Sequence, residues 1–196
     1  MFALVRPALV STLFFTLLLG VAYPLAVTGV GQLAFPAQAG GSLIHDKSGQ
    51  VIGSRLIAQN FTGPRYLHPR PSAAGADGYD AAGSSGSNLG PLNPALSERI
   101  GKAAAELRAG DASAIPADAV TTSGSGLDPD VSPANAHRQA ARVATARGVT
   151  VGEVERVISA HTRMPALGLL GQPAVNVLET NLALDAAFPA AQLPPR

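Results

Sequence analysis

The chain has 196 residues, enough for one domain with a buried core once an N-terminal apolar segment is set aside. Its 14 basic and 13 acidic residues give a net charge of +1, without the basic excess typical of nucleic-acid-binding proteins. It contains no cysteine, which excludes disulfides, thiolate metal sites and a cysteine nucleophile.

The N-terminus is a long uncharged apolar segment. No Asp, Glu, Lys or Arg occurs between Pro7 and Ile44, and residues 8–33 are apolar enough for a transmembrane helix. We predict a short cytoplasmic N-terminus over residues 1–7, a transmembrane helix over 8–33, and a kink or an early end near Pro24, because a proline ring clashes with the carbonyl four residues back. Arg6 precedes the span, which indicates that the rest of the chain lies outside the cytoplasm.

A cleaved secretory signal peptide is the alternative interpretation of the same segment. The string Ala37-Gln38-Ala39 has the small-residue spacing of a cleavage site, and Arg6 supplies a charged start. Signal-peptide apolar cores run to about 7–15 residues, however, and this segment is much longer. We therefore favour an uncleaved anchor.

Residues 40–190 are predicted to form one soluble α+β domain with a small antiparallel sheet and about four helices, and residues 191–196 a flexible tail. Two short strands flank the turn Asp46-Lys47-Ser48-Gly49, a pattern typical of a hairpin. The stretch from Gly63 to Pro94 is dense in Gly, Pro, Ser and Asn, so it predicts a long loop.

Four helices after this loop have recognisable ends. The first also carries apolar residues on one face, namely Leu96, Ile100 and Leu107. The end signals are Asn93-Pro94 and Gly110, Ser132-Pro133 and Gly148, Thr150 with Glu153, and Asn176 with Glu179.

The residue patterns predict neither a catalytic residue nor a metal site. The sequence has no His-Glu-x-x-His zinc motif and no Gly-x-Ser-x-Gly nucleophile elbow. Arg138 and Arg142 lie one helical turn apart with Arg147 beyond them; they suit a carboxylate or an anionic lipid head group, but we favour a solvated helix face. Asp46-Lys47-Ser48-Gly49 is similar to the phosphorylated aspartate loop of P-type ATPases, although we favour a simple turn because the chain has no room for a nucleotide domain.

Several unusual strings, taken together and in order, resemble the C subunit of the bacterial Kdp potassium-transporting ATPase. Each string alone is a turn or cap motif, but the ordered set covers almost the whole chain and is specific. The strings are Tyr23-Pro24-Leu25-Ala26-Val27-Thr28-Gly29, Phe35-Pro36, Gly41-Ser42-Leu43-Ile44, residues 66–72, Ser87-Asn88-Leu89-Gly90-Pro91, residues 123–133 and Val175-Asn176-Val177-Leu178. Departures at Leu67, Pro69, Asp130 and Thr180 put in doubt only a direct role for those side chains.

The resemblance implies an accessory, non-catalytic subunit of an ATP-driven potassium importer in the bacterial inner membrane, with its soluble domain on the periplasmic side. The implied partners are a channel-like A subunit that selects potassium, a P-type B subunit that hydrolyses ATP, a small F subunit and membrane lipid, but no nucleic acid. The family is described as a catalytic chaperone that raises the B subunit's affinity for ATP. ATP and potassium then act at the level of the complex, and we expect no cofactor bound firmly by this chain.

We expect partner contacts along the span, where small residues permit close helix approach, and on two polar loops. The candidate contact residues are Gly20, Gly29, Ser87, Asn88, Ser125, Asp128 and Asn176. Two other classes of function stay open from the sequence: a secreted or anchored ligand-binding or hydrolytic domain that acts alone, and a membrane-tethered structural domain without partners.

Overall fold

A computed structural model of the chain describes residues 2–110 and 113–189. Residue 190 and the predicted tail over residues 191–196 therefore lie outside the described residues. The chain divides into two compact units, Met1–Ser54 and Arg55–Arg196. The predicted α+β class is confirmed, with an N-terminal apolar helix, small antiparallel sheets and several further helices.

The first unit begins with a long apolar helix. Helix α1 (Phe2–Leu17) continues through a π-helical turn, Leu18–Ala22, into α2 (Tyr23–Ala34), and the run Ala3–Ala34 is long and apolar enough to cross a membrane. Pro24 explains the π turn, because its ring crowds the carbonyl of Gly20. The Tyr23 N–H donates to the Leu18 carbonyl, five residues back, and not to the carbonyl four residues back as in a regular α-helix. The helix thus passes Pro24 without ending.

A short helix and a hairpin complete the first unit. Helix α3 (Pro36–Ala39) precedes strands β1 (Leu43–His45) and β2 (Val51–Ser54), which pair in antiparallel fashion as predicted. In the turn between them, Asp46 Oδ1 accepts hydrogen bonds from the Ser48 hydroxyl at 2.6 Å and from the Ser48 and Gln50 N–H groups at 2.8 and 2.9 Å. These bonds, the hydroxyl first, lower the pKa of Asp46 below its usual range. The carboxylate therefore serves as the acceptor that closes the turn.

The second unit contains the four predicted soluble helices and a three-stranded sheet. The helices are α4 (Pro94–Gly110), α5 (Pro133–Arg147), α6 (Val151–Ala160) and α7 (Val177–Ala187). The antiparallel sheet has the order β3 (Asp130–Val131), β5 (Ala174–Asn176), β4 (Thr162–Arg163). The sequence did not predict these strands, because two or three residues are too few to show an alternating pattern.

The helix ends in this unit follow the predicted chemistry. Ser132 and Asn176 cap α5 and α7 by accepting the N–H of the residue three positions on, and Gly148 ends α5 in the left-handed conformation. Thr150 and Glu153 form the predicted capping box at the start of α6. Caps of this kind typically stabilise a helix by about 1 kcal/mol each, because they satisfy N–H groups that have no partner within the helix.

The core lies between α5, α6, α7 and the sheet. Three alanines at one-turn spacing on α5, Ala136, Ala140 and Ala144, are fully buried, and their small side chains let neighbouring elements approach closely. The other buried members of the cluster are Leu67, Val131, Val143, Val154, Ile158, Val175, Val177 and Leu184. Helix α4 contributes no buried residue, and its predicted apolar face is only half-buried.

Candidate partner-contact site

Two loop segments that carry predicted contact residues meet a third segment in one place. We call this the loop junction and define it as residues 70–74, 84–88 and 122–128. The Ser125 carbonyl accepts hydrogen bonds from the Ser85 N–H at 2.9 Å and the Ser84 hydroxyl at 3.0 Å. The Ser72 hydroxyl donates to the Gly126 carbonyl at 2.7 Å, which ties together residues 54 positions apart. Segments without regular structure are thus joined by specific bonds.

Glycine is required at the centre of the loop junction. Gly126 has φ +68°, and a Cβ there would lie 2.5 Å from the Ser85 carbonyl oxygen and 2.8 Å from the Ala74 nitrogen. A Cβ on Gly86 would lie 2.9 Å from the Gly124 carbonyl oxygen. Because real Cβ contacts are not this short, the two backbones can cross here only where side chains are absent.

An ion pair fastens one side of the loop junction. Arg70 Nη1 lies 2.8 Å from Asp128 Oδ2, and Arg70 Nη2 donates to the Thr122 carbonyl at 3.4 Å. The other oxygen of Asp128 accepts the Asp130 N–H at 3.1 Å. Asp128, a predicted partner contact, therefore has both carboxylate oxygens bonded within the domain.

The other predicted loop contacts differ in how much surface they offer. Ser125 and Asn88 are exposed, Ser87 is half-buried, and Asn88 adopts a left-handed φ of 52°. Asn176 is only 6% exposed, and its Nδ2 donates to the Arg55 carbonyl at 3.0 Å and to Asp130 Oδ1 at 3.3 Å. The exposed predicted loop contacts are thus Asn88 and Ser125, whereas Ser87 and Asp128 are half-buried and Asn176 has an internal bonding role.

Gly20 and Gly29 belong to the other unit and lie on the apolar helix. A Cβ added to either glycine would meet no atom within 4 Å. Ala22, Ala26 and Gly29 follow the i, i+4, i+7 spacing that places them on one face; Ala22 is the last residue of the π-helical turn, and Gly20 lies in the middle of that turn. The small-residue face of this helix is therefore open along its length.

A comparison with known protein families identifies the family of this chain. The family described as "KdpC: K+-transporting ATPase, c chain" matches residues 5–186. The chain belongs to the KdpC family. It is 63% identical over 186 residues to a protein of Caulobacter sp. strain K31, covering 94% of each chain. It is 59% identical over 194 residues to one of Beijerinckia indica, covering 97% of each chain. Both relatives are named "Potassium-transporting ATPase KdpC subunit".

Two departures from the KdpC pattern noted in the sequence have internal partners in the structure. Asp130 forms an ion pair with Arg163, which lies two strands away in the same sheet. The Thr180 hydroxyl is buried and donates to the Asn176 carbonyl at 2.7 Å. Both side chains therefore act within the fold of this KdpC chain.

Arg147 of α5 does not lie on a solvated helix face, so the prediction is wrong for this arginine. Arg147 has a fully buried side chain, which pairs with Asp185 at 3.0 Å and donates to the Arg65, Leu184 and Phe188 carbonyls at 2.8–3.2 Å. Its guanidinium also lies 5.3 Å from the centre of the Tyr66 ring. Arg147 thus joins the C-terminal end of α7 to the loop that contains Tyr66.

Arg138 and Arg142 line a groove of about 850 Å³ between α5, α4 and the loop around His68. Arg142 Nη1 donates to the Pro64 carbonyl at 2.9 Å, and its Nη2 donates to Gln139 Oε1 at 2.7 Å. Burial lowers the pKa of Arg142, and the neighbouring charge of Arg138 lowers it further. Burial, followed by the charges of both arginines, also lowers the pKa of His68, which favours its neutral form.

Two side-chain amides that the sequence did not single out hold the loop before Arg70. Asn181 accepts the Leu67 N–H at 2.7 Å and donates to the Leu67 carbonyl at 2.9 Å. Gln139 does the same for His68, at 2.8 and 3.2 Å. Each amide replaces the neighbouring strand that an extended segment normally needs, and no local spacing in the sequence signals such long-range pairs.

The structure brings no metal-ligand set together in the part of the chain that it describes. Across residues 2–110 and 113–189, no group of three His, Asp or Glu residues is placed to hold a metal ion. The four histidines are dispersed: His45 lies on β1, His68 lies in the groove, His137 lies near Glu155 at 3.9 Å, and His161 follows α6.

Proposed function

We propose that this chain is an accessory, non-catalytic subunit of an ATP-driven potassium importer, anchored in the bacterial inner membrane by α1 and α2. Family membership over residues 5–186 is the observation that carries this proposal. The proposed partners are the channel-like A subunit, the ATP-hydrolysing B subunit and the small F subunit, and the proposed location of the second unit is the periplasm.

Two features support contact with those partners. The open face of Ala22, Ala26 and Gly29 suits close packing against another transmembrane helix, since small residues let backbones approach. The exposed residues Asn88 and Ser125 lie on the loop junction. Its conformation is fixed by internal hydrogen bonds and by the close backbone contacts at Gly86 and Gly126. Photo-crosslinkers at Gly29 and Asn88 are expected to reach a partner subunit, and the absence of any product from both positions would contradict this arrangement.

We further propose that the subunit acts as a catalytic chaperone that raises the B subunit's affinity for ATP. A periplasmic domain cannot touch cytoplasmic nucleotide, so the effect must be a coupling between conformations that crosses the membrane. Complexes purified with and without this chain are therefore expected to differ in KM for ATP, with the lower KM when the chain is present. An unchanged KM in a complex that still hydrolyses ATP would contradict the chaperone proposal.

The orientation and retention of the anchor have direct tests. Because the chain has no cysteine, a single cysteine at Asn88 is a unique label site. We expect a membrane-impermeant maleimide to label it in cells whose outer membrane has been permeabilised, and protection until the inner membrane is lysed would contradict a periplasmic domain. N-terminal sequencing of the mature chain separates an uncleaved anchor from a signal peptide, since cleavage after Ala39 gives a chain that starts at Gly40.

A further inference from the structure

The hairpin between β4 and β5 displays four large apolar side chains to solvent. We call residues 164–171 the apolar finger. Leu167 and Leu169 are 90% and 86% exposed, and Met164 and Leu170 are also mostly exposed. Single exposed leucines are common on soluble domains, but four large apolar side chains within one short hairpin form a patch of the kind found at interaction sites.

The apolar finger has a defined shape. Ala166 and Leu170 exchange two backbone hydrogen bonds, of 3.0 and 2.9 Å, and the Gly168 N–H donates to the Pro165 carbonyl at 3.0 Å. Leu167 adopts a φ of 55°, a conformation that a leucine rarely adopts. At the base, β4 pairs with β5 and Arg163 pairs with Asp130. The apolar side chains are therefore held outward before any partner binds.

We propose that the apolar finger inserts into an apolar recess on the extracytoplasmic surface of an integral-membrane partner subunit; this inference rests on the proposed function. Because the apolar finger has its shape before binding, it loses little conformational entropy on binding and suits a recess of matching shape. A fluid bilayer has no fixed shape to match, so the fixed hairpin favours a protein partner.

The composition of the apolar finger also favours protein over lipid. From Met164 to Leu178 the chain has no charged residue and no aromatic residue. Segments that bind at a membrane surface typically combine Trp, Tyr or Phe with Lys or Arg, which bind the headgroup region. The apolar finger lacks both classes, and its leucines and methionine suit the interior of a protein recess.

The small size of the apolar finger indicates what kind of protein partner it fits. A standard interface between freely diffusing proteins involves about 20–30 residues a side, far more than one short hairpin supplies. A partner in the same membrane needs less contact area, because the anchor raises the effective concentration of the domain. The occupant is therefore a subunit that is assembled in the membrane alongside α1 and α2.

A photo-crosslinking amino acid at position 169 of the full chain, produced together with the ATPase subunits, tests the inference. We expect a product with a partner polypeptide at least ten-fold more abundant than from the control position 151, where Val151 is 42% exposed at the start of α6 and lies outside both the apolar finger and the loop junction. Products confined to lipid or to a second copy of the chain, or equal yields from the two positions, would overturn it.

Paired substitutions test the contribution of the apolar finger to assembly. Leu167→Asn with Leu169→Ser removes apolar surface while keeping a residue at position 167 that tolerates left-handed φ. We expect at least ten-fold lower recovery of partner subunits from mild detergent, with an unchanged Tm, whereas Val151→Ser leaves recovery unchanged. Full recovery with the finger variant would overturn the inference. If the unsubstituted chain itself is recovered without partners, the proposed function fails, whatever the finger variants do.

Discussion

The loop over residues 55–93 and helix α4 differ in how much they contribute to the buried core of the second unit. The loop contains no helix or strand, and the structure describes all of its residues, yet it supplies the fully buried Leu67 and the fully buried Ala74. Helix α4 is regular over 17 residues and supplies no buried residue. Regular secondary structure and contribution to the core are thus separate properties in this domain.

The loop can enter the core because its backbone groups are satisfied by side chains. An extended segment in a protein interior needs a partner for each N–H and C=O, and Asn181 and Gln139 supply these for Leu67 and His68. Helix α4 satisfies its own backbone and needs no such partners, so it can remain at the surface. Stability is therefore expected to depend more on the loop than on the helix.

Truncation of one leucine in the loop and one in α4 gives the largest expected difference in the free energy of unfolding. Leu67→Ala empties a site that is completely buried and should lower the free energy of unfolding by about 4 kcal/mol. Leu107→Ala, on the half-buried face of α4, should cost about 1 kcal/mol or less. Urea unfolding of the detergent-solubilised full chain measures both values. Equal costs at the two positions would contradict the contrast.

A pair of glycine substitutions isolates the backbone crossing in the loop junction. Gly126→Ala and Gly148→Ala place a side chain at nearly the same positive φ, 68° and 70°, but only the first would meet neighbouring atoms. We expect the free energy of unfolding to fall by about 3 kcal/mol for Gly126→Ala and by about 1 kcal/mol for Gly148→Ala, as measured by urea unfolding. A loss at Gly126 no greater than that at Gly148 would show that the crossing is loose.

Alanine substitution of two asparagines, one buried and one exposed, tests whether the side-chain amides hold the loop. Asn181→Ala leaves the buried Leu67 N–H and carbonyl without their partner and should cost about 2 kcal/mol. Asn93→Ala removes an exposed cap of α4, where Asn93 Oδ1 accepts the Ala95 N–H at 2.9 Å, and should cost about 1 kcal/mol or less. Amide hydrogen exchange should show faster opening near Leu67 only for the first variant. Unchanged exchange there would contradict a holding role for Asn181.

The smallest expected effect is the pH dependence of the α6 cap. The backbone bond from Thr150, followed by its hydroxyl, lowers the pKa of Glu153 below 4.5. A carboxyl whose pKa is lowered by folding stabilises the fold above its unfolded pKa, and this contribution is lost as the pH falls through the folded value. The stability difference between the natural chain and Glu153→Gln should therefore be present at pH 7 and shrink below about pH 4.5. A difference that grows on acidification would contradict this assignment.

The features that follow from local sequence rules could be predicted. The caps at Ser132, Thr150 and Asn176 and the hairpin around Asp46 depend on residues within four positions of one another, so the sequence displays them directly. The apolar helix also follows from composition alone, because a long uncharged run needs no tertiary information.

The features that depend on distant residues could not be predicted in the same way. The sheet is made of two- and three-residue strands, and Arg147 is buried because Asp185, far along the chain, lies beside it. Asp128 was predicted as a contact residue from its string, but its pairing with Arg70 joins segments 58 positions apart. The apolar finger has a visible signal in its run of Met, Leu and Gly, yet only the structure shows that these side chains point outward.

Purification of the full chain tests the central claim, that this is an anchored subunit of a potassium-transporting ATPase, most directly. The tagged chain is produced with its natural partners and extracted from membranes in mild detergent. We expect it to be recovered with the channel-like and ATP-hydrolysing subunits at a constant ratio. Recovery of the chain alone, as a soluble product that starts at Gly40, would contradict the claim.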